Sequence, residues 1–233
     1  MIFKPSSVVN NTIKNHNLNV FFNQVSLQRS HATKFLGMQI DENLNWQLHV
    51  SHLTRVITVL NGWFFRIRDF IPVQYRRSLY YAYIHSRLSY GISLYGSASA
   101  CVLKPLQVAQ NRCLRTLQFK PLDTRLHVLY NEYNTMPIKR MHKLSWLKTI
   151  HTSIHLPETV PHNIREMFLT DHHHAYFTRN SVNNTLFRYF NGNNCKNNYV
   201  YDAITIYKNL PTHIKTCSNT SMFMYQCNLY LTH

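Results

Sequence analysis

Residues 18–41 read as short extended runs, and after Trp46 apolar residues recur every three or four positions. Leu18-Asn19-Val20-Phe21-Phe22, the turn-prone Asn23-Gln24 and Val25-Ser26-Leu27 predict a β-hairpin. Phe35-Leu36-Gly37-Met38-Gln39-Ile40 predicts a third strand, with Gly37 allowing a bulge or a close backbone approach. Asp41-Glu42-Asn43 ends it as a turn. Beyond Trp46, Val50, Leu53, Ile57, Leu60, Phe64 and Ile67 form the apolar stripe of a helix, with Arg55, Gly62, Arg66 and Asp69 on the other side. Pro72 breaks the run. A second helix is expected from Tyr75 to near Leu88, with Arg76, Arg77 and Arg87 among Tyr80, Tyr81 and Tyr83. Gly91 and Gly96 loosen the chain before a third helix. That helix has Leu103, Leu106, Gln110, Cys113, Leu114 and Leu117 on one face and Lys104, Asn111, Arg112 and Arg115 facing away.

Pro121 and Pro137 bracket a shorter helical piece. Ile138, Met141, Leu144, Leu147 and Ile150 stripe a further helix over 138–156. Residues 157–200 are rich in Asn and His and lack a regular period, as in a linker or an irregular region with weak helices. Ser221 to Leu231 reads as a short terminal helix capped by Ser218 or Thr220. The expected fold class is mixed and mainly α: a small antiparallel hairpin region, then helices, then a helical and irregular C-terminal region.

Composition narrows the possible partners. The 233 residues allow one large domain or two small ones, and 45% hydrophobic content permits a packed core. Lys and Arg number 25 against 9 Asp and Glu, a formal net charge of +16, which favours polyanions. A secreted basic protein or a membrane-surface binder would share that excess. Five cysteines without a CxxC pair read as reduced intracellular thiols. Lys4-Pro5 interrupts the apolar start, so no signal peptide is expected, and no run approaches the roughly 18 apolar residues of a membrane helix.

Candidate chemistry is sparse. The one adjacent acidic pair, Asp41-Glu42, reads as a turn rather than a metal site. His172-His173-His174 cannot easily converge on one ion, and Cys195, Cys217 and Cys227 match no common zinc spacing. No nucleophile elbow or glycine-rich phosphate loop is present. Arg55, Arg66, Arg68, Arg76, Arg77, Arg87, Arg112 and Arg115 lie on the expected helices, where a group with few acidic neighbours suits phosphate contacts and a solvated face is the bland alternative. Trp63, Phe64 and Phe65 read as core rather than as a base-stacking platform.

The segment from Phe35-Leu36-Gly37 through Asp41, Leu44 and Trp46 to His49-Val50 resembles the "KFLGxxIDxxLxWxxHI" run of non-LTR (LINE-type) retrotransposon reverse transcriptases. Leu88-Ser89-Tyr90-Gly91 with Tyr95-Gly96 is similar to that family's "LxYGxxxWG", with tyrosine at the usual tryptophan. Leu106, Gln110 and Leu114-Arg115 are similar to its "LxxxQxxxLR". His174, Tyr176 and Thr178-Arg179 are similar to "HxYxTR", and Tyr207, Asn209-Leu210-Pro211 and Ile214 to "xxWNxLPxxI". The motifs keep the family's order and span nearly the whole chain.

The resemblance implies a fragment of an RNA-directed DNA polymerase. Residues 1–45 would be a palm remnant with a primer-grip-like hairpin, 46–120 a thumb-like helical domain, and 121–233 a C-terminal region. It makes Met1 an internal methionine and puts the catalytic carboxylates and the magnesium they hold in the intact polymerase upstream, leaving no cofactor in this chain. Phe35, Leu36 and Gly37 would position a primer end, against the alternative of a plain sheet edge. The implied partners are template RNA, nascent DNA and the palm, fingers and endonuclease regions, with no membrane and a nuclear site of action. Two other readings stay open: a stand-alone basic nucleic-acid-binding module, and a decayed reading frame without activity.

Overall fold

A computed structural model describes residues 20–27, 30–165 and 199–231. The protein is mainly helical, with small antiparallel hairpins near the N-terminal side. It divides into two compact units after Ile138.

The first hairpin pairs β1 (Val20–Phe22) with β2 (Val25–Leu27), as the sequence leads one to expect. Asn23 and Gln24 both have positive φ, 46° and 65°, the backbone a two-residue turn needs to match strand twist. The expected single strand over 35–40 is instead the centre of a second hairpin. β3 (Ala32–Phe35) pairs with β4 (Met38–Asp41), and Leu36-Gly37 is the turn between them. Leu36 has φ 46° and Gly37 φ 82°. Gly37 therefore supplies a left-handed turn residue rather than a bulge. A leucine at positive φ is rarely a turn signal, so the residue pattern hides this corner, and only the resemblance implied a hairpin around it.

Asp41 then redirects the chain. Its carboxylate accepts the backbone N–H groups of Asn43 (3.1 Å), Asn45 (3.1 Å) and Trp46 (3.0 Å). These bonds hold Leu44 and Trp46 in left-handed conformations and launch α1 (Gln47–Ile67). Val50, Leu53, Ile57 and Phe64 of the expected stripe are buried and Leu60 is half-buried, while Ile67, where the helix passes into a 3-10 turn, is 42% exposed. Trp63 and Phe65 are also corrected: they stand 60% and 56% exposed, and only Phe64 of that trio enters the core.

Pro72 precedes α2 (Val73–Leu79), which widens into a π-helical stretch, Tyr80–His85, and closes as α3 (Ser86–Ser89). A π-helical turn inserts one residue and rotates the side chains beyond it around the axis. Tyr80 thereby reaches the core while Tyr81 donates to the carbonyls of Tyr133 (3.1 Å) or Asn134 (2.6 Å). After α4 (Ile92–Tyr95), α5 (Ala100–Gln118) lies along α1. Leu103, Leu106, Gln110, Cys113, Leu114 and Leu117 are all buried on its inner face. α6 (Leu126–Tyr133) packs against α5 and completes the first unit's core.

α7 (Ile138–His155) carries the expected stripe inward. In the second unit a 3-10 turn (Pro157–Thr159) and α8 (His162–Arg165) come next, then α9 (Tyr199–Asn209), α10 (Thr212–Lys215) and α11 (Thr220–Tyr230). α9 and α10 were not foreseen, although Ala203, Ile204, Tyr207, Leu210 and Ile214, all buried, keep a helical spacing. The N-cap of α11 is Asn219, not Ser218 or Thr220: its side-chain oxygen accepts the N–H groups of Ser221 (2.8 Å) and Met222 (3.2 Å). No helix among the described residues is long and apolar enough to cross a membrane.

Candidate nucleic-acid interface

The tip of the second hairpin presents Phe35 and Leu36 to solvent, 62% and 73% exposed. Two apolar side chains at a loop tip gain nothing from water, and their exposure is informative only because the tip is held in place. Tyr90 donates its hydroxyl to the carbonyl of Leu36, and the Tyr90 ring lies 3.8 Å from where a Cβ on Gly37 would sit. Gly91, at φ 66°, lets Met38 approach so closely that a Cβ there would meet its Sδ at 2.6 Å. Behind the tip, the backbone N–H of Gln39 donates to His49 Nδ1 at 3.4 Å, and the His49 ring meets Tyr95 edge-on at 5.3 Å. Tyr95 is buried and donates to the carbonyl of Leu88. Residues from the first two motifs, far apart in sequence, thus share one corner of the first unit.

The third motif is structural at its glutamine. Gln110 is fully buried and donates to the Tyr80 hydroxyl (2.9 Å) and the Met136 carbonyl (3.0 Å). Tyr80 also meets Thr135 Oγ1 at 3.1 Å. Gln107 lies within reach of Gln110 Oε1, Asn111 Oδ1 and the Tyr130 hydroxyl, and its own Oε1 accepts the N–H of Ile138 at 2.9 Å. Burial pushes the Tyr80 hydroxyl up to about 12, so this network stays neutral. Sequence spacing showed an apolar face around Gln110 but none of the partners it finds near residue 135.

The eight arginines divide by what they already hold. Arg55, Arg66 and Arg112 are exposed or half-exposed. Arg55 lines an open groove between α1 and α5 with Val50, Ser51, Thr54, Val102 and Pro105. Arg77 donates to the Tyr133 carbonyl (3.2 Å), Arg87 to Tyr83 (2.7 Å) and Arg115 to Thr124 (3.3 Å), so each also fastens backbone. Arg68 and Arg76 gather around the Phe119 ring at 4.8 and 4.0 Å. Phe119 and Phe65, both partly exposed, were not marked as site residues; their one sequence cue is an aromatic beside arginine-bearing helices.

Acidic counter-charge is thin. Glu132 pairs with Lys120 at 3.2 Å and Glu42 with His31 at 3.1 Å, while Asp41 is committed to backbone amides. No group of His, Cys, Asp and Glu among the described residues is placed to hold a metal. His172–His174, Cys195 and the "HxYxTR"-like residues His174 to Arg179 lie outside the described residues. Comparison with family models, curated proteins and solved structures returned no match.

Proposed function

We propose that this chain is the template–primer-binding part of an RNA-directed DNA polymerase of the non-LTR retrotransposon type. It holds an RNA–DNA hybrid by its backbone, and nucleotidyl transfer is not assigned to it. The observation that carries this reading is the corner at which the exposed Phe35-Leu36 tip is fastened by Tyr90 and Gly91, two stretches that separately resemble the family's motifs. A fastened apolar tip can abut a sugar-phosphate strand, and Arg55, Arg66 and Arg112 offer unneutralised charge in the same unit. The net charge of +16 supports a polyanion as the ligand.

The test is titration of the full chain onto a fluorescent RNA–DNA hybrid across a salt series. Affinity is expected to fall by about tenfold or more between low and moderate salt, because each phosphate contact releases counterions. Salt-independent binding, or none, overturns the reading. A primer-extension assay with magnesium is expected to give no product from this chain alone. A stand-alone binding module would bind equally well, but without preference for hybrid over duplex DNA or single-stranded RNA.

A further inference from the structure

Where α1 ends, two cations converge on one aromatic ring. The Arg68 guanidinium lies 4.4 Å from the Phe65 ring centre and 4.8 Å from that of Phe119, and Arg76 lies 4.0 Å from Phe119. Phe119 holds a left-handed conformation, φ 55°, at the C-terminus of α5, which turns its ring back toward both arginines. Arg76 is fixed further: its Nε donates to the Ile71 carbonyl (3.0 Å) and its Nη2 to the Arg68 carbonyl (3.3 Å).

Two like charges so close repel each other unless something opposite joins them. No carboxylate among the described residues pairs with either guanidinium; the ion pairs there are His31–Glu42 and Lys120–Glu132. Arg77 and Arg115, like Arg76, each have a donor satisfied by a carbonyl. The Arg68 side chain donates to no carbonyl among the described residues, and its Nε, like that of Arg115, is buried without an acceptor. Rings beside the Arg68 guanidinium restrict it and leave its planar edge, and the fork of N–H donors on that edge matches phosphate oxygens. Arg76 retains Nη1 for the same ligand.

We infer that Arg68 and Arg76, stacked on Phe65 and Phe119, form a binding site for a phosphate oxyanion. The site deepens the proposed function, resting on it only for the source of the phosphate: a nucleic-acid backbone, or a free diphosphate group.

Inorganic pyrophosphate titrated onto the full chain by calorimetry reads the site directly. Saturable binding is expected, weakened about tenfold by Arg76→Gln, since losing one member of a charge-assisted pair removes a strong contact. Lys104→Gln removes the same charge from an exposed position of α5 and is expected to leave the affinity unchanged. Because Arg76 also fastens backbone, Phe119→Asn serves as a second variant. Asparagine tolerates the left-handed conformation and deletes only the ring, and it should weaken binding as well. Absence of saturable pyrophosphate binding, or equal losses from Arg76→Gln and Lys104→Gln, overturns the site in favour of a diffuse basic field. Hybrid binding then separates the sources. A greater loss for Arg76→Gln than for Lys104→Gln identifies the backbone as ligand. Pyrophosphate binding by a chain that ignores hybrid leaves the site standing and defeats the template–primer reading.

Discussion

Gln110 and His151 are both fully buried, one in each compact unit, and they meet their surroundings differently. Gln110 uses its amide nitrogen on Tyr80 and Met136, and its oxygen accepts from Gln107 at 2.9 Å. His151 lies against the Phe223 ring at 4.0 Å and the His155 ring at 4.3 Å, with Nε2 2.6 Å from the Cys217 carbonyl. That contact places the proton on Nε2, and Nδ1 is left buried without a partner. A neutral amide can saturate its hydrogen bonds inside a core without charge. An imidazole placed likewise keeps one nitrogen unsatisfied, and a proton taken up there would be a buried charge without an acceptor, which burial disfavours. The first arrangement stiffens a core; the second makes its stability depend on pH.

The strongest way to break this contrast is to empty the better-satisfied site. Gln110→Leu keeps the volume but strips the Met136 carbonyl and the Tyr80 hydroxyl of the donor they share. A loss on the order of 3 kcal/mol is expected, the combined cost of unsatisfied buried groups in one network. Urea unfolding of the full chain, followed by circular dichroism, measures it. A loss below about 1 kcal/mol, taking that threshold from the net worth of an ordinary hydrogen bond, would mean the network is no tighter than a surface contact.

The next effect comes from His151. Its pKa is lowered, first by burial and secondarily by the neighbouring His155, with the bond to Cys217 working the other way. The unfolded chain therefore binds more protons than the folded one below the ordinary histidine value of about 6.5. Stability from this group is complete above that pH and falls as pH drops below it, by up to about 1.4 kcal/mol per pH unit. His49 and His85 are lowered in the same direction by burial, so the wild-type decline sums several groups. His151→Gln keeps a donor for Cys217 and cannot titrate. Urea midpoints compared between neutral and mildly acidic buffer, about one pH unit either side of the ordinary histidine value, should differ less for this variant than for the wild type. Equal differences would remove His151 from the account.

The same contrast explains how far the sequence could be read. The stripes of α1, α5 and α7 were legible because burial there follows helical period from Val50 to Phe64, Leu60 alone half-buried, and from Leu103 to Leu117. Ile67 failed because the stripe outlasts the partner it packs on. Trp63 and Phe65 were misplaced because three consecutive aromatics cannot share one helix face, and Phe64 alone occupies the inner one. The Leu36-Gly37 corner was invisible as a turn in the residue pattern, and only the family resemblance implied a hairpin there, since its geometry comes from pairing and from Tyr90 rather than from leucine's preference. At the candidate interface, eight arginines could be placed on helices. Which would clasp a carbonyl and which would gather on Phe119 depended on backbone distant in sequence, such as Tyr133 for Arg77. Gln110 stood out as a polar residue on an apolar face, but its partners did not.

The smallest effect lies at the surface end of the same scale, where a polar group has water as an alternative. Asn219 caps α11 through two backbone N–H groups, in an exposed setting. Asn219→Ala should cost about 1 kcal/mol, the usual worth of an N-cap, because the freed amides can turn to solvent. Ser218→Ala and Thr220→Ala should cost almost nothing, since neither side chain accepts from the first turn. Thermal unfolding of the three variants ranks them directly. If Ser218→Ala or Thr220→Ala proved the costlier change, the cap would belong to the residue type that sequence rules favour. The expected ordering instead tracks backbone angle: Asn219, at φ −81° and ψ 114°, is the residue that steps out of the helix and can turn its side chain back onto it.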